Sequence, residues 1–312
     1  MPTIYHDEHV LDHDAMQVMR TMLALHPAAR LGPQMRPEFD AQMENTPAAE
    51  DVSYEAAEVG GVAGWWCRPA GANAGTAILY LHGGAYIVGS AAAYRSLVGQ
   101  IAARVGAPAF VPDYALAPEH PVPAALEDAF AVYQALAAGG AGTIALVGDS
   151  AGGGLALALL SRATAAARQA LVPRPVCLTA MSPWTDLALT GASMSERASA
   201  DPLLSSETLS VAAELYLAGH NRLDPQASPL FGDLRDLPPI LLHVGEDEVL
   251  LDDARRYAKR TEEVGGLAEL HIWKGMVHVF PASLGLLRAA AQALDDIGVF
   301  LRRHIAGGLT MR

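Results

Sequence analysis

From Thr76 onward the chain alternates short, continuous apolar runs with longer amphipathic ones. The runs 76–81 (TAILYL), 107–112 (APAFVP), 143–148 (TIALVG), 175–181 (PVCLTAM), 239–245 (PILLHVG) and 268–273 (AELHIW) are too short for core helices and predict strands. Segments 93–105, 124–138, 154–167, 253–264 and 284–305 lie between or after them and predict helices. Strands apolar on both faces, alternating with helices, predict a mostly parallel sheet covered on both sides. Upstream, 52–59 (VSYEAAEV) and 62–69 (VAGWWCRP) flank Gly60-Gly61 and predict a hairpin. Trp65 and Trp66 then face opposite ways, so one ring is expected in the core.

Two stretches break the alternation. Residues 1–50 read as mixed helical and irregular, with Met16, Met19 and Leu23 on one helical face. Residues 185–237 contain no strand pattern and one helix at 205–219, with Ser205 or Ser206 as its cap. The expected organisation is an α/β domain over 51–312, an N-terminal cap segment over 1–50 and a cap insertion over 185–237. Together the caps would cover the C-terminal edge of the sheet, where open α/β folds bind ligands.

Composition narrows the partners. A chain of 312 residues that is 51% hydrophobic can build one large core with insertions. It has no apolar run approaching the roughly 18 residues of a membrane span. The polar, acidic start (MPTIYHDEHVLDHDAM) does not read as a secretory signal. A net charge of −13 argues against nucleic acid or anionic membrane as partner. Cys67 and Cys177 have no paired spacing, so two buried free thiols in a reducing cytoplasm are expected.

The chemistry concentrates in 146–159, LVGDSAGGGLALAL. Gly148-Asp149-Ser150-Ala151-Gly152 fits G-x-S-x-G between a predicted strand and helix. A serine on so sharp a turn has a strained backbone, and its neighbours two residues away must lack a Cβ. Alone the pattern is also compatible with a glycine-rich turn. It lacks the G-x-G-x-x-G spacing of a dinucleotide loop. A hydroxyl nucleophile needs a base, an orienting acid and an oxyanion hole. His82-Gly83-Gly84 follows a strand, and the N–H groups of Gly83 and Gly84, with that of Ala151, could hold a developing oxyanion. The His82 imidazole is expected to tie the loop. Acids follow the strand at 239–245, and His278 follows the last strand. The order serine, acid, histidine is that of an α/β-hydrolase.

These stretches, with DYALAPEHPVPAALEDA, SPWTDL and GMVHVF, resemble the hormone-sensitive-lipase-like (bacterial family IV) branch of α/β-hydrolase esterases, from about residue 76 to the end. Ala115 and Val122 stand where that family usually has arginine and phenylalanine. The resemblance implies an α/β-hydrolase fold with an N-terminal cap. Aligning on Gly245 and Leu250 places Glu248 at the family's triad aspartate, with Asp247 one residue early as the alternative. Asp252 and Asp253 are expected to serve the next helix N-terminus. SPWTDLALTGASM and HIWKGMVHVF also resemble segments of monoterpene ε-lactone hydrolases.

The expected function is therefore a serine carboxylesterase acting on short- to medium-chain or aryl esters through an acyl-enzyme. Its expected triad is Ser150, Glu248 and His278, with Gly83, Gly84 and Ala151 as oxyanion hole and no metal or cofactor. Lactone hydrolysis with the same triad is the alternative within this chemistry. A binding-only protein of this fold would lack the nucleophile or the base, and both are present. Met16, Met19, Met22, Leu203, Leu204, Tyr216 and Phe231 are expected to line an apolar cap pocket. A homodimer is compatible with this reading. His6, His9 and His13 among acids could suggest a metal site, but a solvated terminus explains them without one. Glu119 and His120 are expected in a packed turn, and Asp113 and Asp128 as buried or capping acids.

Overall fold

Every apolar run from Thr76 onward supplies a strand in the computed structural model, which describes residues 3–25, 32–73 and 75–310. The strands are β1 (Thr3–His6), β2 (Val52–Val59), β3 (Val62–Pro69), β4 (Thr76–Leu81), β5 (Ala109–Pro112), β6 (Thr143–Asp149), β7 (Leu178–Met181), β8 (Ile240–Gly245) and β9 (Ala268–Trp273). They form one sheet in the order β1-β9-β8-β7-β6-β4-β5-β3-β2. Only the β2–β3 and β3–β5 pairings are antiparallel. The helices are α1 (Val10–Leu25), α2 (Arg36–Met43), α3 (Ala91–Val105), α4 (Ala124–Ala138), α5 (Ser150–Arg168), α6 (Ser193–Glu196), α7 (Ser206–Leu217), α8 (Leu251–Glu263) and α9 (Arg288–Thr310).

The strand period of two sorts the core into two layers. Ala77, Leu79 and Leu81 of β4, with Ile144 and Leu146 of β6, pack toward α4, α5 and α8. Ile78, Tyr80, Ala145 and Val147 face the opposite way, toward α3 and α9. Gly60 and Gly61 both have positive φ, and Val59 pairs with Val62, so the hairpin closes in two residues as expected. Among the described residues no helix is long and apolar enough to cross a membrane.

Several expectations are corrected. Thr3–His6 is an edge strand, parallel to β9 from Thr3↔Leu270 to His6↔Trp273. Four residues carry no readable period, and the strand is defined by its partner. Both tryptophans are half-buried. The hairpin lies at the sheet edge, where Arg68 covers Trp66 at 4.0 Å and Arg95 covers Trp65 at 5.0 Å. The last helix begins at Arg288, four residues after its expected start. Its first N–H groups, of Arg288 and Ala289, donate to the Asp12 carboxylate of α1, each at 2.8 Å. This cap comes from another helix and is buried. Asp12→Ala is expected to destabilise the fold by about 1–2 kcal/mol, read as a Tm lowered by a few degrees in thermal denaturation.

Candidate active site

The turn from β6 into α5 explains its glycines sterically. Ser150 has φ +52°, a left-handed conformation that a side chain rarely adopts. A Cβ on Gly152 would stand 2.1 Å from the Leu81 carbonyl oxygen and 2.2 Å from that of His82. A Cβ on Gly148 would meet the Gly152 carbonyl oxygen at 2.4 Å. The helix can therefore start directly against the end of β4, presenting Ser150 above the sheet edge.

Three loops at the C-terminal ends of parallel strands converge there. His278 Nε2 lies 2.8 Å from Ser150 Oγ, and His278 Nδ1 lies 2.8 Å from Glu248 Oε2. Glu248 is fully buried, and its other oxygen accepts from Ser182 Oγ at 2.7 Å and the Gly245 N–H at 2.5 Å. Ser182 Oγ also accepts from the Val279 N–H at 3.0 Å, bridging the acid loop to the base loop. Ser182 (φ +48°) and Val279 (φ +51°) share the strained backbone of Ser150, so these contacts hold the geometry against local preference. One serine in SPWTDL carries no local signal of this role, which only the fold reveals.

Burial pulls the His278 pKa down. The hydrogen bond and charge of Glu248, joined by the charges of Asp201 and Asp149, outweigh burial and raise it above the ordinary histidine value. Asp201 also ties the 185–237 segment to the acid loop, accepting from the Val249 N–H at 2.9 Å. Asp247 points elsewhere. Its carboxylate pairs with Arg20 of α1 at 2.5 Å, and the same guanidinium donates to the Ala200 carbonyl. Asp252 and Asp253 lie in the first turn of α8, but their carboxylates serve other segments. Asp252 accepts from the Ser193 N–H, and buried Asp253 from the N–H groups of Thr185 and Asp186. Burial raises the Asp253 pKa to about 8.

Of the three N–H groups expected as oxyanion donors, one already has a partner. The Gly83 N–H donates to Asp149 Oδ1 at 2.9 Å, so it is engaged with a buried carboxylate. Tyr80 and Tyr94 hydroxyls donate to the same group at 2.8 and 3.1 Å. Burial raises the Asp149 pKa to about 6, with these three bonds opposing the rise. The N–H groups of Gly84, Ala85 and Ala151 have no acceptor among the described residues. Gly84, Ala85 and Tyr86 all have positive φ, and the Ile87 and Val88 N–H groups donate back to the Gly84 carbonyl, closing the turn. His82 is buried, stacks on Tyr114 at 4.3 Å and donates from Nδ1–H to the Gly83 carbonyl at 2.7 Å. Burial lowers its pKa to about 4, which keeps it neutral.

Gly83 is small for a reason invisible in the motif: a Cβ there would stand 2.2 Å from Asp149 Oδ2. Gly83→Ala must push the loop off this carboxylate. The expected result is a kcat lowered by about 100-fold or more, because sub-ångström placement governs oxyanion stabilisation. Steady-state kinetics on a chromogenic ester measure it.

The expected apolar lining is dispersed. Met16 packs with Trp273, Met276, Val277 and Phe280 beneath the histidine loop, with Met19 and Leu203 against the same cluster. Met22 is exposed. Tyr216 stacks face to face on Tyr86 at 3.8 Å, beside the oxyanion loop, while Leu204 and Phe231 pack on the larger core layer. Glu119 holds Arg36 of α2 in a two-pronged pair at 2.7 and 3.0 Å, and Arg36 also donates to the Ile87 and Ala117 carbonyls. Asp113 accepts from the Ala91 N–H at the start of α3, and Asp128 from the Ala115 N–H. Both cysteines are free and buried, and burial pushes the Cys67 thiol up to about 12.

Known proteins share this architecture. Residues 78–282 match a family profile described as the alpha/beta hydrolase fold. An acetyl-hydrolase of Streptomyces hygroscopicus is 41% identical over 246 residues, covering 78% of this chain and 81% of its own. An esterase of Acinetobacter venetianus is 37% identical over 269 residues, 85% of this chain and 87% of its own. The crystal structure of an esterase from the bacterial hormone-sensitive lipase family superposes with a TM-score of 0.86 at 38% identity, over 95% of this chain and 98% of its own.

Proposed function

Because the chain belongs to the α/β-hydrolase family and is a carboxylic ester hydrolase, we propose that it cleaves its esters through an acyl-enzyme on Ser150. The observation that carries this reading is the continuous hydrogen-bonded line from Ser150 Oγ through His278 to Glu248, at 2.8 Å per link.

In the proposed cycle His278 Nε2 takes the Ser150 proton as Oγ attacks the ester carbonyl carbon. The carbonyl oxygen gains charge facing the N–H groups of Gly84 and Ala151, at the α5 N-terminus where the helix dipole favours it. The Ala85 N–H is the next donor on the same turn, and Gly83 anchors that turn through Asp149. His278 then protonates the leaving alcohol. In the second half it takes a proton from water, which attacks the acyl carbon, and returns that proton to Ser150 Oγ as the acid departs. Glu248 holds the Nδ1–H tautomer and stabilises the transient imidazolium.

The segment after β1 up to residue 50, together with 185–237, is proposed as the cap. Supporting this are Arg20 and Arg36, which reach the acid loop and the oxyanion loop, and Asp201, which bonds the residue after Glu248. Short- to medium-chain or aryl carboxylic esters are the proposed substrates, in keeping with the names of the esterase and acetyl-hydrolase relatives. Rapid mixing with p-nitrophenyl butyrate tests the intermediate. The expected result is an acyl group on the Ser150 peptide by mass spectrometry after acid quench, and a label on another residue would overturn it. A panel of esters of graded chain length beside several lactones separates ester from lactone preference.

A further inference from the structure

We propose that His6, His271 and Asp296 form a site for one divalent transition-metal ion of the zinc type, clamping β1 to β9 and α9. The three residues come from separate parts of the chain, and the fold brings their donor atoms within 4.8 Å of one another. His6 Nε2 and His271 Nδ1 share a hydrogen bond at 2.9 Å, which the ion would replace with release of its proton, and His271 Nδ1 lies 3.7 Å from Asp296 Oδ2. Ligands bound tetrahedrally at about 2.0–2.1 Å stand about 3.3–3.4 Å apart, so these separations bracket the required one.

The surroundings orient the ligands. His271 Nε2 lies 2.8 Å from Glu269 Oε1, which accepts its proton and leaves the Nδ1 lone pair facing the cluster. A carboxylate behind a ligating histidine is the arrangement that sets tautomer and ring angle at metal sites. The His6 ring is stacked on Trp273 at 3.7 Å and 3°, which holds its plane. Asp296 Oδ2 is buried and has no hydrogen-bond partner among the described residues. A buried carboxylate oxygen without a donor is costly, and a cation satisfies it. His243, whose ring is 4.6 Å from that of His271, is not a ligand. Its Nδ1 accepts from Trp273 Nε1 at 3.0 Å, so its proton sits on Nε2.

Two imidazoles and a carboxylate suit zinc, cobalt or nickel better than calcium or magnesium, which prefer oxygen. Water would complete the coordination on the half-exposed side of His6 and Asp296. The ion would pin a strand of only four residues that leads directly into α1, the helix carrying Asp12, Met16 and Arg20. Its role is to secure the docking of that helix, with no part in ester chemistry.

The test is zinc titration of tag-free, chelator-treated protein by calorimetry, with cobalt absorption as a second readout of ligand geometry. The expected result is one ion per chain and a raised Tm. His6→Gln and Asp296→Asn should each weaken binding at least tenfold, and Glu269→Gln by about 10–100-fold. The His9→Gln/His13→Gln double variant, which removes the exposed imidazoles nearby, should bind as the wild type does. Unchanged circular dichroism and esterase activity in each variant establish that it is folded. Absence of stoichiometric binding overturns the proposal. So does unaltered affinity in folded His6→Gln and Asp296→Asn, or loss of binding in the His9/His13 variant alone.

Discussion

Replacing Ser150 with alanine is expected to lower kcat on p-nitrophenyl butyrate by about 10⁵–10⁶-fold while leaving the fold intact. Alanine keeps the Cβ, so the backbone strain at φ +52° is unchanged, and only Oγ is lost. In the proposed cycle no acyl-enzyme forms without Oγ, and His278 can at most direct water at the carbonyl. That residual catalysis sets the floor. Because nucleophile and base act as one unit, adding His278→Ala to Ser150→Ala should cause little further loss. A Ser150→Ala protein with kcat within tenfold of the wild type would mean that another group is the nucleophile. The Tm should move little, since one hydrogen bond at a partly exposed side chain is removed.

Glu248→Gln is expected to lower kcat by about 10⁴-fold, and the reason is geometric. Both Ser182 Oγ and the Gly245 N–H donate to Glu248 Oε1, so a glutamine must turn its carbonyl toward them. Its amide NH₂ then faces His278 Nδ1 as a donor. The imidazole must accept there and carry its proton on Nε2, aimed at Ser150, which is the wrong tautomer for a base. Asp247→Asn, by contrast, loses only a partly exposed ion pair with Arg20 and should change kcat less than about tenfold. The reverse ranking would assign the acid to Asp247.

The pH profile supplies a second readout of the same pair. In the proposed cycle His278 must be neutral to take the Ser150 proton, so activity is expected to fall as pH drops through its pKa. That pKa is raised above 6.5, so the acid limb of the wild-type kcat/KM profile is expected above 6.5. Removing the Glu248 charge leaves burial as the dominant influence, and the limb of Glu248→Gln should shift to lower pH.

Much of this was readable before folding. The six apolar runs from Thr76 onward are strands because continuous apolar residues bounded by turns can be satisfied only inside a covered sheet. The glycines of G-x-S-x-G announced a close approach, though not that Leu81 and His82 carbonyls are what a Cβ would strike. The ordering of Ser150, Glu248 and His278 was legible because each follows a strand end, and in a parallel sheet those ends share one edge. Other features left no local trace. Thr3–His6 is a strand only because β9 offers an open edge. Asp12 caps a helix that begins 276 positions later.

Chain order and periodicity thus decide which elements form and which loops meet, because burial of alternate faces and short connections leave few arrangements. Which backbone N–H stays free, and which carboxylate faces the imidazole, depend on contacts between residues far apart in the chain. Gly83 illustrates the boundary. Its motif marks it as a backbone donor at the sheet edge, and only the packed fold sends its N–H to Asp149, while the N–H groups of Gly84, Ala85 and Ala151 keep no acceptor among the described residues. The physical reason is that a backbone N–H has a single proton, and a buried carboxylate within reach claims it.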